Sequence, residues 1–128
     1  MRLRLLLALV WLGVMITLAS MPSPDDPSSG VIANVVHVVQ FVVFVVILLS
    51  FSRAVLSRFG LRTLLVLVGV VALLLAFGQE WYQSWLPHRE ADLRDVLFDA
   101  IGIAVGLLLW TLAAFLRKRC FQRPLVTG

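Results

Sequence analysis

The chain has 128 residues, enough for one domain; 61% are hydrophobic and the mean hydropathy is +1.01. Soluble domains hold about 45–50% apolar residues, so this composition excludes a soluble globule and leaves the number of bilayer crossings as the question. On such a chain a net charge of +4 reports orientation across the bilayer and contact with anionic lipid rather than nucleic-acid binding.

Taken in chain order, four segments reach the roughly 20 mainly apolar residues that a crossing helix needs. They are residues 5–21, 31–51, 63–80 and 93–116, all rich in Leu, Val and Ala. None shows the alternation or the turn signals about every ten residues that a membrane β-barrel would need. The expected fold is therefore an all-α membrane protein, one domain over residues 1–128 built as a four-transmembrane-helix bundle. Residues 1–20 also admit reading as a cleaved leader ending near Ala19 and Ser20. Its removal would leave three helices with an unpaired apolar face, which favours keeping the first helix.

The first connection, PSPDDPSSG, is rich in turn formers, and Ser28 or Ser29 is placed to cap the second helix. The second, SRAVLSRFGLR, is short and basic, with Gly60 a helix stop or turn. In the third, Pro87 ends whatever helix continues past Glu80. Arg2, Arg4, Arg53, Arg58, Arg62, Arg117, Lys118, Arg119 and Arg123 put nine of the eleven basic residues on one side of an up-and-down stack. That excess marks a cytoplasmic side and places both termini there. Cys120, beside this basic tail, has no partner for an intramolecular disulfide and reads as a plain juxtamembrane residue.

The polarity of the opposite side is concentrated in GQEWYQSWLPHREADLRDVLFDAIG, residues 78–102, which holds five of the seven acids. Trp81, Tyr82 and Trp85 flank this end, where amphipathic rings favour the headgroup layer. On the second helix Asn34, His37 and Gln40 fall within about a third of the circumference. Interhelical hydrogen bonding and a polar pocket lined by His37 both fit that face. The third helix carries Gly69, Ala72 and Ala76, then Glu80 and Gln83, within about a 60° arc. The fourth carries Asp95, Asp99, Gly102 and Gly106 on a similar stripe. Two such helices meeting along their small residues would gather Glu80, Gln83, Asp95 and Asp99 at one end. Asp99, roughly 6 Å past Asp95 along the helix, should face the bundle, because a carboxylate facing hydrocarbon is costly. Arg89 is placed to pair with Glu80 or Asp95, or to meet a ligand's phosphate or carboxylate.

The sequence contains no phosphate-binding glycine loop, no nucleophile arrangement and no fixed metal-ligand spacing, so neither a cofactor nor a metal is expected. His37, Glu80, His88 and Asp95 are of types able to coordinate a divalent ion or act as acid and base, but nothing in their spacing selects that role.

Glu80, Gln83, Pro87, Arg89, Asp95, Asp99, Gly102 and Gly106 form E-x-x-Q-x-x-x-P-x-R-x(5)-D-x-x-x-D-x-x-G-x-x-x-G. This resembles the VanZ-like family of bacterial membrane proteins, whose pattern runs E-x-x-Q, P-x-R, then D-x-x-x-N-x-x-G. Asn34, His37, Gln40 and Phe41 resemble the family's K-x-x-H and polar–aromatic pair, and Ser20, Met21 and Pro22 its S-M-P. Asp99 stands where Asn is usual, Asn34 where Lys is usual and His88 where Gly often follows the proline, making the end more acidic than the family's norm.

The resemblance implies a multi-pass protein of the bacterial cytoplasmic membrane and, from the family's namesake, lowered susceptibility to lipoglycopeptides such as teicoplanin. His37, Gln40, Glu80, Gln83, Arg89, Asp95 and Asp99 would then form an outward-facing ligand pocket, with Gly69, Ala72, Ala76, Gly102 and Gly106 packing the helices. The leading expectation is a non-enzymatic protein binding a lipid headgroup or a lipidated envelope molecule, a glycopeptide included. An intramembrane enzyme acting on a lipid-linked precursor and a structural subunit of a membrane complex are the alternatives. Membrane lipids are the expected partners, nucleic acid is not, and an oligomer or protein partner stays open.

Overall fold

The computed structural model describes residues 2–21, 29–55, 58–87, 89 and 92–121. The regular structure among them is four helices: α1 (Arg2–Ser20), α2 (Ser29–Val55), α3 (Leu61–Gln83) and α4 (Leu93–Phe121). All four are long and apolar enough to cross a membrane. At 1.5 Å per residue α2 and α4 exceed about 40 Å, longer than a hydrocarbon core of about 30 Å. The helices outrun the expected apolar spans because backbone hydrogen bonding continues into polar flanks such as Arg53, Arg62 and Arg117. Arginine stems lie along apolar surface while their heads reach water, so a charge need not end a helix.

The chain runs up and down. Arg4 at the start of α1 donates to the Ser50 carbonyl near the end of α2, 3.0 Å away. At the opposite end the Ser20 and Tyr82 hydroxyls lie 3.1 Å apart, joining the ends of α1 and α3. Gly60 does not stop α2. It precedes α3 in an extended conformation, φ −63° and ψ 153°, and its carbonyl accepts the Leu64 N–H. Pro87 follows the end of α3, where turn bonds run from the amides of Ser84, Trp85 and Leu86 back to the last helical turn. Ser28 lies outside the described residues.

α2 touches all three other helices and packs most extensively on α4. Phe41, Val45 and Leu49 of α2 are almost wholly buried with Met15, Ala72, Ala76 and Ile103, while the outer faces expose Leu, Val and Ile along their length. Lipid is as apolar as leucine, so close packing and interhelical hydrogen bonds must hold such a bundle. α3 and α4 do pack together, but the expectation that the glycines of α4 meet the small residues of α3 is corrected. A side chain at Gly102 would press into the Val38 carbonyl oxygen, and one at Gly106 would sit 3.0 Å from Val45 Cβ and 3.1 Å from the Val42 carbonyl. The glycine notches of α4 therefore receive α2. The α2 backbone at Val38 and Val42 and the side chains of Phe41 and Val45 fill them. Ala72 and Ala76 are fully buried in the common core, and Gly69 faces Leu107 of α4 at 3.5 Å.

Gly102→Ala should therefore force α2 and α4 apart at a cost of about 1–3 kcal/mol, read as a lower unfolding temperature in detergent. Gly13→Ala and Gly78→Ala, at positions with nothing within 4 Å, should leave stability unchanged or slightly raised. Equal behaviour of all three would contradict the packing.

Candidate functional site

The polar end is assembled from the start of α4. Asp92 stands immediately before the helix, and its Oδ1 accepts the Arg94 N–H at 2.8 Å, an N-cap on one of the amides a helix start leaves unpaired. The Asp92 N–H in turn donates to Glu80 Oε2 at 3.0 Å, tying the last turn of α3 to the first of α4. Glu80 is only 5% exposed. The position of Asp92 before an apolar run was the available signal for a cap.

The glycine contact with α2 brings His37 against α4. Asp95 and Asp99 lie one helical turn apart and share a face. His37 Nδ1 is 2.9 Å from Asp99 Oδ1, and its Nε2 is 3.4 Å from Asp95 Oδ2, so one imidazole spans both carboxylates. Asp99 has no exposed surface, His37 is 6% exposed, and the Asp95 side chain is the more open at 20%. One ligand atom each from His37, Glu80 and Asp95 falls within 4.8 Å of the others. Four of the expected site residues thus form a single cluster joining α2, α3 and α4.

Beside it lies a cavity of about 320 Å³ between α1, α2 and α3. Its walls are largely apolar, including Leu18, Ile32 and Val36, and its polar lining includes His37, Gln40, Gln83 and Arg89. Glu80, Asp95 and Asp99 do not line it. They stand behind His37. Gln83 is 1% exposed, and neither atom of its amide has a hydrogen-bond partner among the described residues. An amide buried in this way costs about 1–3 kcal/mol relative to a bonded one. α1 borders the cavity with Leu18 and Ala19, and further along it is tied to α2 by Trp11, whose indole N–H donates to the Gln40 carbonyl at 3.0 Å. Only the general need of a buried indole for an acceptor hinted at that bond.

Arg89 takes up neither of the two acid partners open to it. It pairs with neither Glu80 nor Asp95 in the hydrogen bonds and ion pairs of the described residues. Instead its Nε donates to the Met21 carbonyl at 2.6 Å and a terminal nitrogen to the Leu18 carbonyl at 3.2 Å. The C-terminus of α1 leaves carbonyls unpaired and carries negative dipole charge, so a guanidinium is held there by both effects. Trp81 and Trp85 stack edge to face at 5.9 Å and, with Tyr82, project from the surface of this end. His88 and Glu90 lie outside the described residues.

Four long apolar helices, with all the buried polar side chains of the described residues except Ser52 gathered at one end, define a multi-pass membrane protein. The VanZ/LLP1 family model matches residues 4–115, and the chain belongs to that family. Comparison with curated proteins gives no match, and comparison with solved structures gives none.

Arg89→Ala should release the end of α1 and lower stability by about 1–3 kcal/mol, with faster hydrogen exchange at the Leu18–Met21 segment. Arg89→Lys should recover only part of this, because a single ammonium lacks the planar fork that reaches two carbonyls. Unchanged exchange in Arg89→Ala would contradict the tie.

Proposed function

We propose that this chain is a non-enzymatic membrane protein of the bacterial cell envelope whose cavity takes the polar head of a lipid or of a lipidated molecule. The observation that carries this reading is Gln83, a buried amide without a partner among the described residues, on the wall of a cavity otherwise mostly apolar. A headgroup would supply hydrogen bonds to Gln83, while Leu18, Ile32 and Val36 would meet the start of an acyl chain. Free carboxylates, unlike amides, repel an anionic headgroup, so it matters that Glu80, Asp95 and Asp99 stand behind His37 rather than on the cavity wall.

The basic residues at the ends of α2 and α4 and the starts of α1 and α3 support a cytoplasmic placement of that side and of both termini. The cavity then opens to the outer leaflet, with Trp81, Tyr82 and Trp85 holding it at headgroup depth. Occupancy by a lipidated envelope component, or by the lipid tail of a glycopeptide, would reduce the antibiotic's access to its target at the membrane surface. This extends to the present chain the resistance associated with the family's namesake.

In a teicoplanin-sensitive bacterium, wild-type protein should raise the inhibitory concentration. Gln83→Leu, which removes the amide while keeping the volume, should return it toward the empty-vector level at equal membrane abundance. Full protection by Gln83→Leu would remove the cavity from the account, and absence of protection by well-inserted wild type would remove the antibiotic.

A further inference from the structure

We propose that His37, Glu80 and Asp95 bind a divalent transition-metal ion, with Asp99 as the positioning partner of the imidazole. This goes beyond the headgroup reading and stands without it.

The first ground is geometry. The Nε2–Oδ2 separation of His37 and Asp95, 3.4 Å, matches the edge of a tetrahedron around an ion with bond lengths of about 2.0–2.2 Å. A Glu80 oxygen completes a trio whose atoms lie within 4.8 Å of one another, so closure on an ion takes a shift of about 1 Å in that side chain. The three come from α2, α3 and α4, which fixes their approach from different directions. The second ground is the orientation of the ring. With the Nδ1 proton donated to Asp99 Oδ1 at 2.9 Å, Nε2 turns its lone pair toward the two other ligands. A carboxylate on the far nitrogen is the usual second partner of a metal-bound histidine, fixing tautomer and direction.

The third ground is independent of the spacing. Glu80 is 5% exposed, and its Oε1 has no hydrogen-bond partner among the described residues. Its other oxygen is occupied by the Asp92 amide. A buried carboxylate oxygen without a donor is costly, and a cation supplies what it lacks. Charge agrees as well: Glu80, Asp95 and Asp99 gather three carboxyl groups around one imidazole, and a divalent ion offsets that negative charge, which lowers the cost of holding it away from water. One nitrogen and two oxygens suit Zn²⁺, Mn²⁺ or Fe²⁺ better than Ca²⁺ or Mg²⁺. Because the Asp95 side chain is 20% exposed, the ion has a route in, and three protein ligands leave a coordination position for water or an external donor.

The test uses full-length protein purified in detergent, stripped with chelator, in a Cys120→Ser background so that the exposed thiol contributes no ligand. Titration with ZnCl₂ by calorimetry, and metal analysis after gel filtration, should give one saturable ion per chain and a raised unfolding temperature. His37→Gln, Glu80→Gln and Asp95→Asn, all close in size to the native residues, should abolish the stabilisation and weaken binding at least tenfold. Asp99→Asn should weaken it by about 10–100-fold. Co²⁺ in place of zinc should give a visible spectrum in wild type that His37→Gln alters. The proposal is overturned if helical wild-type protein shows no saturable zinc binding, or if Glu80→Gln and Asp95→Asn bind as wild type does. Zinc stabilisation of wild type alone supports it even where one variant folds poorly.

Discussion

The contact between His37 of α2 and Asp99 of α4 is the constraint on which the polar end depends. Asp99 has no exposed surface, and a carboxyl group facing hydrocarbon would cost several kcal/mol at the helix centre, about 2.5–3.5 on insertion scales. The imidazole at 2.9 Å answers that cost and fixes the relative rotation of the two helices. It can do so because Gly102, one turn further along α4, lets the α2 backbone come close at Val38. A larger residue at 102 would move the donor away from its acceptor.

From this pairing the remaining geometry follows in sequence. Asp95 lies one turn from Asp99 on the same face, so His37 meets it with the second ring nitrogen. Glu80 reaches the cluster because its other oxygen is held by the amide that begins α4. α1 is held by a different set of bonds, Arg89 to its final carbonyls and Trp11 to the Gln40 carbonyl. Arg4 to the Ser50 carbonyl, Ser20 to Tyr82 and the buried Met15 and Ala19 add to these, so the helix bordering the cavity is anchored along its length. The opposite half of the bundle carries apolar packing and a basic rim, which keeps the polar chemistry at one end.

Much of this was legible in the sequence, for physical reasons. Helices 20 residues long and apolar have almost no alternative to crossing a membrane, so four crossings could be read from composition alone. Asp99 had to face inward because lipid excludes a carboxylate, and the spacing of Asp95, Asp99, Gly102 and Gly106 put the acids and the small residues on one stripe. That stripe did not reveal which helix fills it. Small residues permit approach from any neighbour, and what enters the notches is largely the α2 backbone at Val38 and Val42, which residue identity does not disclose. The acceptors of Arg89 were not legible for a similar reason. Its nearest charges in sequence are acids, whereas its acceptors, the carbonyls of Leu18 and Met21, lie about seventy residues earlier and belong to the backbone. Glu80 and Asp92 lie close in sequence, yet their link uses an amide, which residue identity does not disclose.

The most direct test of this account is a double-mutant cycle on the buried pair. Unfolding free energies would be measured for wild type, His37→Leu, Asp99→Leu and the double variant in the same detergent. If the pair holds α2 against α4, each single variant leaves a buried polar group without its partner, and the double variant should be less destabilised than the sum by about 1–3 kcal/mol. Additive single effects would contradict the account, since His37 and Asp99 would then contribute to the fold independently.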